Sequence, residues 1–355
     1  MIAEIKKYLR KYPRLYRSAR AVFPILMFAT AAVKGRRGSK NHFLSTVSMV
    51  QQSPRVLGRP VNITIEPTNI CNLKCPVCET GAGILGRPDA HMSLEQFRTI
   101  VDKIAPQTNT LMFYFMGEPF LNKQAYEMIS YAKSLGIPFI TTCTNGDAVH
   151  PRKLVECGLD EVSFQIGGMT QETHQTYRIN SNLARVTENL RETIRLKKEF
   201  NSKMRVAVGF ILMRHNEHEV AEFHQFANEI GADDASVIDA CVRTMEQGHQ
   251  FLTKDTTNWY YDVEAFRKGI LRPKVVSRNE CPWIYYSMAI YVNGDVVPCC
   301  RDTTGQYVVG NLLDQELDEV WNGEPFQNYR NKLHGNQARI SICKLCSGYG
   351  VSKLQ

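Results

Sequence analysis

The run Cys71-Asn72-Leu73-Lys74-Cys75-Pro76-Val77-Cys78 decides how this chain is read. It places three cysteines at C-x3-C-x2-C spacing directly after Val61-Asn62-Ile63-Thr64-Ile65-Glu66-Pro67, whose alternating apolar and polar residues predict a strand. Three thiolates this close can wrap one face of an iron–sulfur cube and leave its fourth iron without a protein ligand. Such clusters are ordinarily held by four cysteines, so the spare iron suits a small molecule. The same residues also read as a zinc site or as three unrelated buried thiols, although zinc prefers cysteine pairs with a second pair further on.

Outward from the triplet, strand and helix patterns alternate. Ser93-Leu94-Glu95-Gln96 is a capping box that opens a helix through about residue 104. Strand patterns follow at 110–116, 138–143, 161–166, 204–213 and 235–240, with helical periods at 123–135, 150–157, 182–200 and 218–230. Repeated strand–helix units predict a parallel sheet with right-handed crossovers. In a barrel-like version the active site lies at the strands' C-terminal ends, where the triplet stands. Residues 41–60 read as a connector. Near the C-terminus, Asn293-Gly294 predicts a hairpin turn between strands at 286–292 and 295–298. That hairpin brings Cys281 and Cys299 to one end, and Cys343-Lys344-Leu345-Cys346 can close a second four-thiol site. On spacing alone, zinc suits it equally.

Composition sets the frame. An apolar fraction of 43% over 355 residues fits a soluble globular core with one or two domains. Most of the eleven cysteines fall in metal-like spacings rather than a short disulfide scaffold, which favours a reducing, cytoplasmic setting. The net charge of +8 belongs to the N-terminus: residues 1–40 carry eleven Lys or Arg against the single acid Glu4, leaving the remainder slightly acidic. Nucleic acid is therefore not indicated as a partner. The apolar stretch at 21–33 is too short to span a bilayer. A basic helix beside it can lie in a membrane interface, and it can equally pack on the domain.

The triplet and the order of elements resemble the radical S-adenosylmethionine (SAM) superfamily. The C-terminal cysteines resemble the SPASM and twitch extensions of its members. Residues 60–350 carry this resemblance. It implies an α/β fold, a partial (β/α)6 TIM-like barrel with a small C-terminal SPASM/twitch domain and a basic helical N-terminal extension. The divisions would be 1–60 (extension and connector), 61–245 (barrel), 246–280 (linker) and 281–355 (auxiliary-cluster domain). It implies a SAM-binding [4Fe–4S] cluster on Cys71, Cys75 and Cys78, and one auxiliary [4Fe–4S] cluster on Cys281, Cys299, Cys343 and Cys346. Cys300 stands where it could exchange with Cys299, and no cysteine follows Cys346. For SAM itself, the resemblance assigns Gly117 and Glu118 to the methionyl amine, Ser163 and Gln165 to the ribose, Arg178 to the carboxylate and Val77 to the adenine side. Met116 departs from the family's first glycine, and Gln165 stands where relatives carry an acid. The plain readings are a turn, an exposed salt bridge and core packing. Cys143, Cys157 and Cys241 read as ordinary buried thiols. No catalytic acid or base is assigned.

The implied activity is reductive cleavage of SAM to a 5′-deoxyadenosyl radical that abstracts hydrogen from a substrate C–H. A reduced donor such as flavodoxin or ferredoxin would supply the electron, and the auxiliary cluster would accept a second one from substrate. The substrate is a small polar metabolite, a ribosomal peptide, or a lipid or lipid-linked glycan met at the inner membrane face through residues 1–40. A reading from another class, a non-catalytic iron–sulfur electron carrier, needs neither Gly117-Glu118 nor six strand–helix units.

Overall fold

Strand and helix alternate through the body of the chain. The computed structural model describes residues 35–257, 259–348, 350 and 354–355. Helix α1 (Ser39–Val50) leads to β1 (Asn62–Ile65), α2 (Leu94–Ile104), β2 (Thr110–Met112), α3 (Ala125–Ser134), β3 (Phe139–Thr144), α4 (Pro151–Glu156) and β4 (Glu161–Ile166). Then come α5 (Gln171–Tyr177), α6 (Leu183–Glu199), β5 (Arg205–Leu212), α7 (Val220–Ile230) and β6 (Asp234–Asp239). The remainder holds α8 (Met245–Phe251), α9 (Val263–Arg267), β7 (Ser287–Ile290), β8 (Asp295–Val297), β9 (Gly310–Asn311), α10 (Leu317–Trp321) and α11 (Glu324–Asn336).

The strands form one sheet in the order β6-β5-β4-β3-β2-β1-β7-β8-β9. Strands β1 to β6 pair in parallel, each with its chain neighbour, which gives the expected partial (β/α)6 barrel. In β3 and β4 buried and half-buried residues alternate strictly. Ile140, Val162, Phe164 and Ile166 join the core beneath the helices. Thr141, Cys143, Ser163 and Gln165 occupy the other face, toward the lumen. Helix α2 adds Phe97, Ile100, Val101 and Ile104 to the core.

The C-terminal hairpin is not a separate sheet. Strand β7 pairs in parallel with β1, Asn62 opposite Ser287 through Ile65 opposite Ile290, and β8 returns antiparallel. Side chains reinforce this join. Trp321 Nε1 donates to the Gly58 carbonyl (2.8 Å), and Asn322 bonds both the N–H and the C=O of Val56 (2.9 Å each). Arg330, fully buried against the Trp321 and Phe326 rings, donates to the Pro54 carbonyl (2.9 Å).

Four expectations need correction. Residues 41–60 are not all connector, because α1 occupies Ser39–Val50; its buried residues are His42, Ser45, Thr46 and Ser48, so no apolar stripe announces it. The strand expected at 110–116 ends at Met112, where the chain bends so that Met116 N can donate to Glu66 (3.3 Å). Helix α5 was not anticipated; it is capped by Thr170, whose hydroxyl accepts from Thr173 N (3.2 Å). The stretch 246–280, read as linker, contains α8 and α9, which pack Phe251 and Phe266 in a second apolar cluster with Leu73, Cys75 and Val77.

The expected basic extension and apolar stretch lie, through residue 34, outside the described residues. Arg36 donates to the Leu354 carbonyl (2.6 Å), and Arg37 donates to the carbonyls of Ala105 and Leu135 (3.2 and 3.0 Å) at the C-termini of α2 and α3. Among the described residues no helix is long and apolar enough to cross a membrane.

The capping box forms as read. Ser93 Oγ accepts from Gln96 N (3.1 Å) and Gln96 Oε1 accepts from Ser93 N (2.9 Å). Ser93→Ala should lower unfolding stability by about 1 kcal/mol in a denaturant titration without altering iron content.

Candidate active site

The loop after β1 carries the cysteine triplet along the rim formed by the strands' C-terminal ends. Leu73, Cys75 and Val77 are buried in the second apolar cluster beside Tyr177 and Met213, while Cys71 and Cys78 are half-buried at its edge. Lys74 N donates to the Ile179 carbonyl (3.1 Å), and Asn145 Nδ2 donates to Asn72 Oδ1 (2.9 Å), so loops after β1, β3 and α5 hold one another. Gly81 packs directly behind the middle cysteine; a Cβ there would stand 2.4 Å from Cys75 N. Burial, opposed by the Leu73 amide and helped by Glu118, Cys75 and Cys78, pushes the Cys71 thiol up to about 12. Burial likewise raises Cys75, opposed by Arg178 and reinforced by Cys78. Thiols so costly to ionise one by one fit a cationic iron centre, whose binding would release their protons. Among the described residues no three His, Cys, Asp or Glu converge on a single ion's position. A four-iron cube does not require that, since each thiol takes its own iron.

Gly117 and Glu118 follow β2 and lean on the approach to the triplet. Gly117 has φ +76°, and a Cβ there would lie 2.5 Å from the Thr68 carbonyl oxygen. Glu118 N donates to the Ile70 carbonyl (2.9 Å). The Glu118 carboxylate is buried and accepts from Thr144 Oγ1 (2.7 Å), Asn145 N (2.7 Å) and Phe120 N (3.4 Å). Burial still pushes it up to about 7, against those three donors and Arg178. Arg178 caps the C-terminus of α5, and its Nε is buried with no hydrogen-bond partner. Its charge is felt by Cys75, Cys143 and Glu118. A carboxylate and an orphaned guanidinium donor beside the same cysteines fit a zwitterion, such as the methionyl end of SAM. Ser163 and Gln165 face the lumen and bond each other, Gln165 Nε2 donating to Ser163 Oγ (2.8 Å).

The C-terminal cysteines also gather. Burial pushes Cys281 up to about 12, with Cys346 and Cys343 adding to it. Contact with Cys300 raises Cys299, and burial and Cys281 raise it further. Arg301 N donates to Cys299 Sγ (3.4 Å) and Gly348 N to Cys346 Sγ (3.3 Å). Cys300 is felt in turn by Tyr114, whose hydroxyl burial holds above its ordinary range with help from Cys143 and Cys300. The fully buried Asp302 carboxylate accepts from the amides of Gly305 (3.0 Å), Gln306 (2.9 Å) and Tyr307 (2.7 Å), which stiffens the turn after Cys299.

A radical SAM superfamily profile matches residues 65–227, and a profile for SPASM, an iron–sulfur cluster-binding domain, matches residues 281–347. This chain belongs to the radical SAM superfamily. It is an enzyme of that family with a SPASM part, and the two parts imply a SAM-binding [4Fe–4S] cluster and auxiliary iron–sulfur chemistry. Similar proteins include a PqqA peptide cyclase of Xanthomonas campestris pv. campestris, 22% identical over 81% of this chain and 79% of that one. An AdoMet-dependent heme synthase of Methanosarcina barkeri is 26% identical over 81% and 90%. Among solved structures, Streptococcus suis SuiB bound to precursor peptide SuiA matches with TM-score 0.60 at 14% identity, over 88% of this chain and 76% of that one. That likeness concerns the fold.

Two features of this radical SAM enzyme escaped the sequence reading. The first is Cys241, which is half-buried rather than an ordinary core thiol, as is Cys143; Cys157 is buried as expected. Arg243 Nη1 (3.3 Å), Arg301 Nη1 (3.8 Å) and the Tyr261 hydroxyl (3.7 Å) approach its sulfur. Cys241 follows β6, one edge of the sheet, and Arg301 follows β8, next to the other edge. Side chains therefore bridge an opening that no strand pairing closes. The second is a buried chain through His174. Gly167 N donates to Nδ1 (3.1 Å), so the neutral ring carries its proton on Nε2 and gives it to Ser181 Oγ (2.9 Å), which donates to Asp147 (2.6 Å). This chain ties the loop after β4 to the loop that carries Arg178. No local motif marks either feature.

Burial raises the Cys241 thiol, but Arg301, Arg243 and the Tyr261 hydroxyl together outweigh it and hold the thiol below its usual range. Iodoacetamide labelling of Cys241 should therefore rise at lower pH than that of an ordinary thiol, and Arg243→Met should move the profile upward. Burial, helped by Arg178 and opposed by Asp147, pulls His174 from 6.5 down to about 4. The folded value lies below the unfolded one, so this stability is complete above about pH 6.5 and drains away as pH falls toward 4. The loss should reach about 3 kcal/mol in denaturant titrations across that window, and His174→Gln should remove this component.

Proposed function

We propose that this enzyme carries out a two-electron oxidation at an unactivated C–H of a peptide substrate, with Cys71, Cys75 and Cys78 holding the SAM-binding cluster and Cys281, Cys299, Cys343 and Cys346 the auxiliary one. The observation that carries the reading is the pairing of β1 with β7, which joins the strand that leads to Cys71 to the hairpin that Cys281 and Cys299 flank. When bound, SAM and its cluster supply the 5′-deoxyadenosyl radical that takes hydrogen from substrate. Glu118 receives the methionyl ammonium and Arg178 the carboxylate, each relieving a cost visible in the protein alone. Ser163 and Gln165 offer a hydroxyl and an amide to the ribose from the lumen face, and Val77 lends an apolar wall on the adenine side. The apolar cluster behind the triplet, reaching to Phe251, Trp259 and Phe266, keeps water from that side. A reduced carrier protein would supply the first electron, and Cys281, Cys299, Cys343 and Cys346 would hold the group able to take a second.

The peptide class is supported by the PqqA peptide cyclase relative. A small-molecule substrate is the second reading, supported by the heme synthase relative at 26% identity.

Anaerobically reconstituted protein should hold about eight irons per chain. Cys71→Ala/Cys75→Ala/Cys78→Ala should lower this to about four and abolish 5′-deoxyadenosine formation from SAM and dithionite. Cys281→Ala/Cys343→Ala should also lose about four irons yet retain cleavage. Deuterium carried into 5′-deoxyadenosine from a deuterated peptide fraction would support the peptide reading; transfer only from the small-metabolite fraction would replace it. Intact clusters with no deoxyadenosine under either condition would overturn this C–H oxidation reading.

A further inference from the structure

Glu66 directly follows β1, five positions before Cys71, and is fully buried. Both of its oxygens are doubly engaged. Oε1 accepts from Arg87 Nη2 (2.7 Å) and Met116 N (3.3 Å); Oε2 accepts from Arg87 Nη1 (2.7 Å) and Val292 N (3.1 Å). A single carboxylate thereby joins the end of β1, the bend that delivers Gly117-Glu118, and the end of β7.

Arg87 carries the connection onward. Its fork is spent on Glu66, its Nε donates to the Thr303 carbonyl (2.9 Å), and its guanidinium lies 3.8 Å from the centre of the Tyr291 ring. Tyr291 in turn donates its hydroxyl to the Asp302 carbonyl, accepts from Gly305 N (3.0 Å) and stacks on Phe115. Asp302 N donates to the Cys299 carbonyl (2.9 Å), so Thr303 and Cys299 belong to the same stiff turn.

We infer that Glu66 and Arg87 are positioning residues that fix the Cys299–Tyr307 turn against the strand end carrying Cys71, and so set one separation and orientation between the two iron–sulfur sites. Charge neutralisation alone does not account for the arrangement. A lysine would balance Glu66, but it could not grip both carboxylate oxygens and Thr303 at once, nor lie flat on Tyr291. Losing the pair's geometry would let the auxiliary turn drift relative to the SAM loop while each cysteine set keeps its own ligands. This rests on the two-cluster reading above.

The test compares wild type, Arg87→Lys and the neutral pair Glu66→Gln/Arg87→Met, the last included because Arg87→Met alone would strand a buried charge. Iron content and thermal unfolding establish folding and loading. Pulsed electron paramagnetic resonance on the dithionite-reduced protein then reads the distance distribution between the two clusters. Amide exchange over 299–307 reads the turn directly, with or without clusters. Wild type should give one narrow distribution. Arg87→Lys should keep about eight irons yet broaden or shift the distribution, with exchange in the turn about tenfold faster. A wild-type distribution and wild-type exchange in Arg87→Lys would overturn the inference, as would their full recovery in the neutral pair. Failure of the two-cluster reading would show separately, as about four irons in wild type, and the exchange measurement would still decide the role of Arg87.

Discussion

Strand β1 is paired with β7 along its whole length and with β2 from Asn62 to Thr64, and every one of its residues is buried. A four-residue strand caught in this way has no freedom to slide, because a one-residue slip would turn its side chains to the wrong face on both neighbours. The cysteine loop therefore leaves from a fixed point. The C-terminal hairpin, which Cys281 and Cys299 flank, is fixed by the same ladder. Trp321, Asn322 and Arg330 repeat the arrangement further out by binding the 54–58 segment that leads into β1.

The site built on this frame is electrostatically unfinished by itself. Cys71, Cys75 and Cys281 are held above the ordinary thiol range and Glu118 above the ordinary carboxylate range chiefly by burial, and Cys299 is raised by its contact with Cys300 and by burial. Arg178 supplies charge of the opposite sign but keeps a buried N–H unused. Such costs are tolerated where a bound group offsets them, and strongly perturbed groups are characteristic of functional sites. Cys71, Cys75, Glu118 and Arg178 share the rim at the strands' C-terminal ends. Asn145 links the two halves of this rim: its amide N–H bonds Glu118, while its side chain reaches Asn72 and the Cys71 sulfur.

The fold carries many chemistries, so the substrate has to come from the site and not from the barrel. The lumen face offers small polar groups, Thr141, Cys143, Ser163 and Gln165, below the cysteine loop. Cys241 with Arg243 and Arg301 stands where the open edges of the sheet approach each other. Relatives bearing peptide-cyclase and heme-synthase names match this chain at similar identity.

Local sequence determined the elements whose signals are short in range. The β1 alternation, the Ser93–Gln96 capping box, the Asn293-Gly294 turn and the spacing of both cysteine sets were legible because each depends on residues a few positions apart. Helix α1 was not, since its buried face is polar, and α8 and α9 were not, since they are short and find their apolar partners in the Cys71–Cys78 loop. Tertiary structure alone decided that β7 pairs with β1, that Arg87 spans Glu66 and Thr303, and that Arg301 reaches Cys241. These contacts join residues far apart in the chain, some by more than two hundred positions. No local propensity encodes them; the closing of the sheet and the need to satisfy buried charge select them.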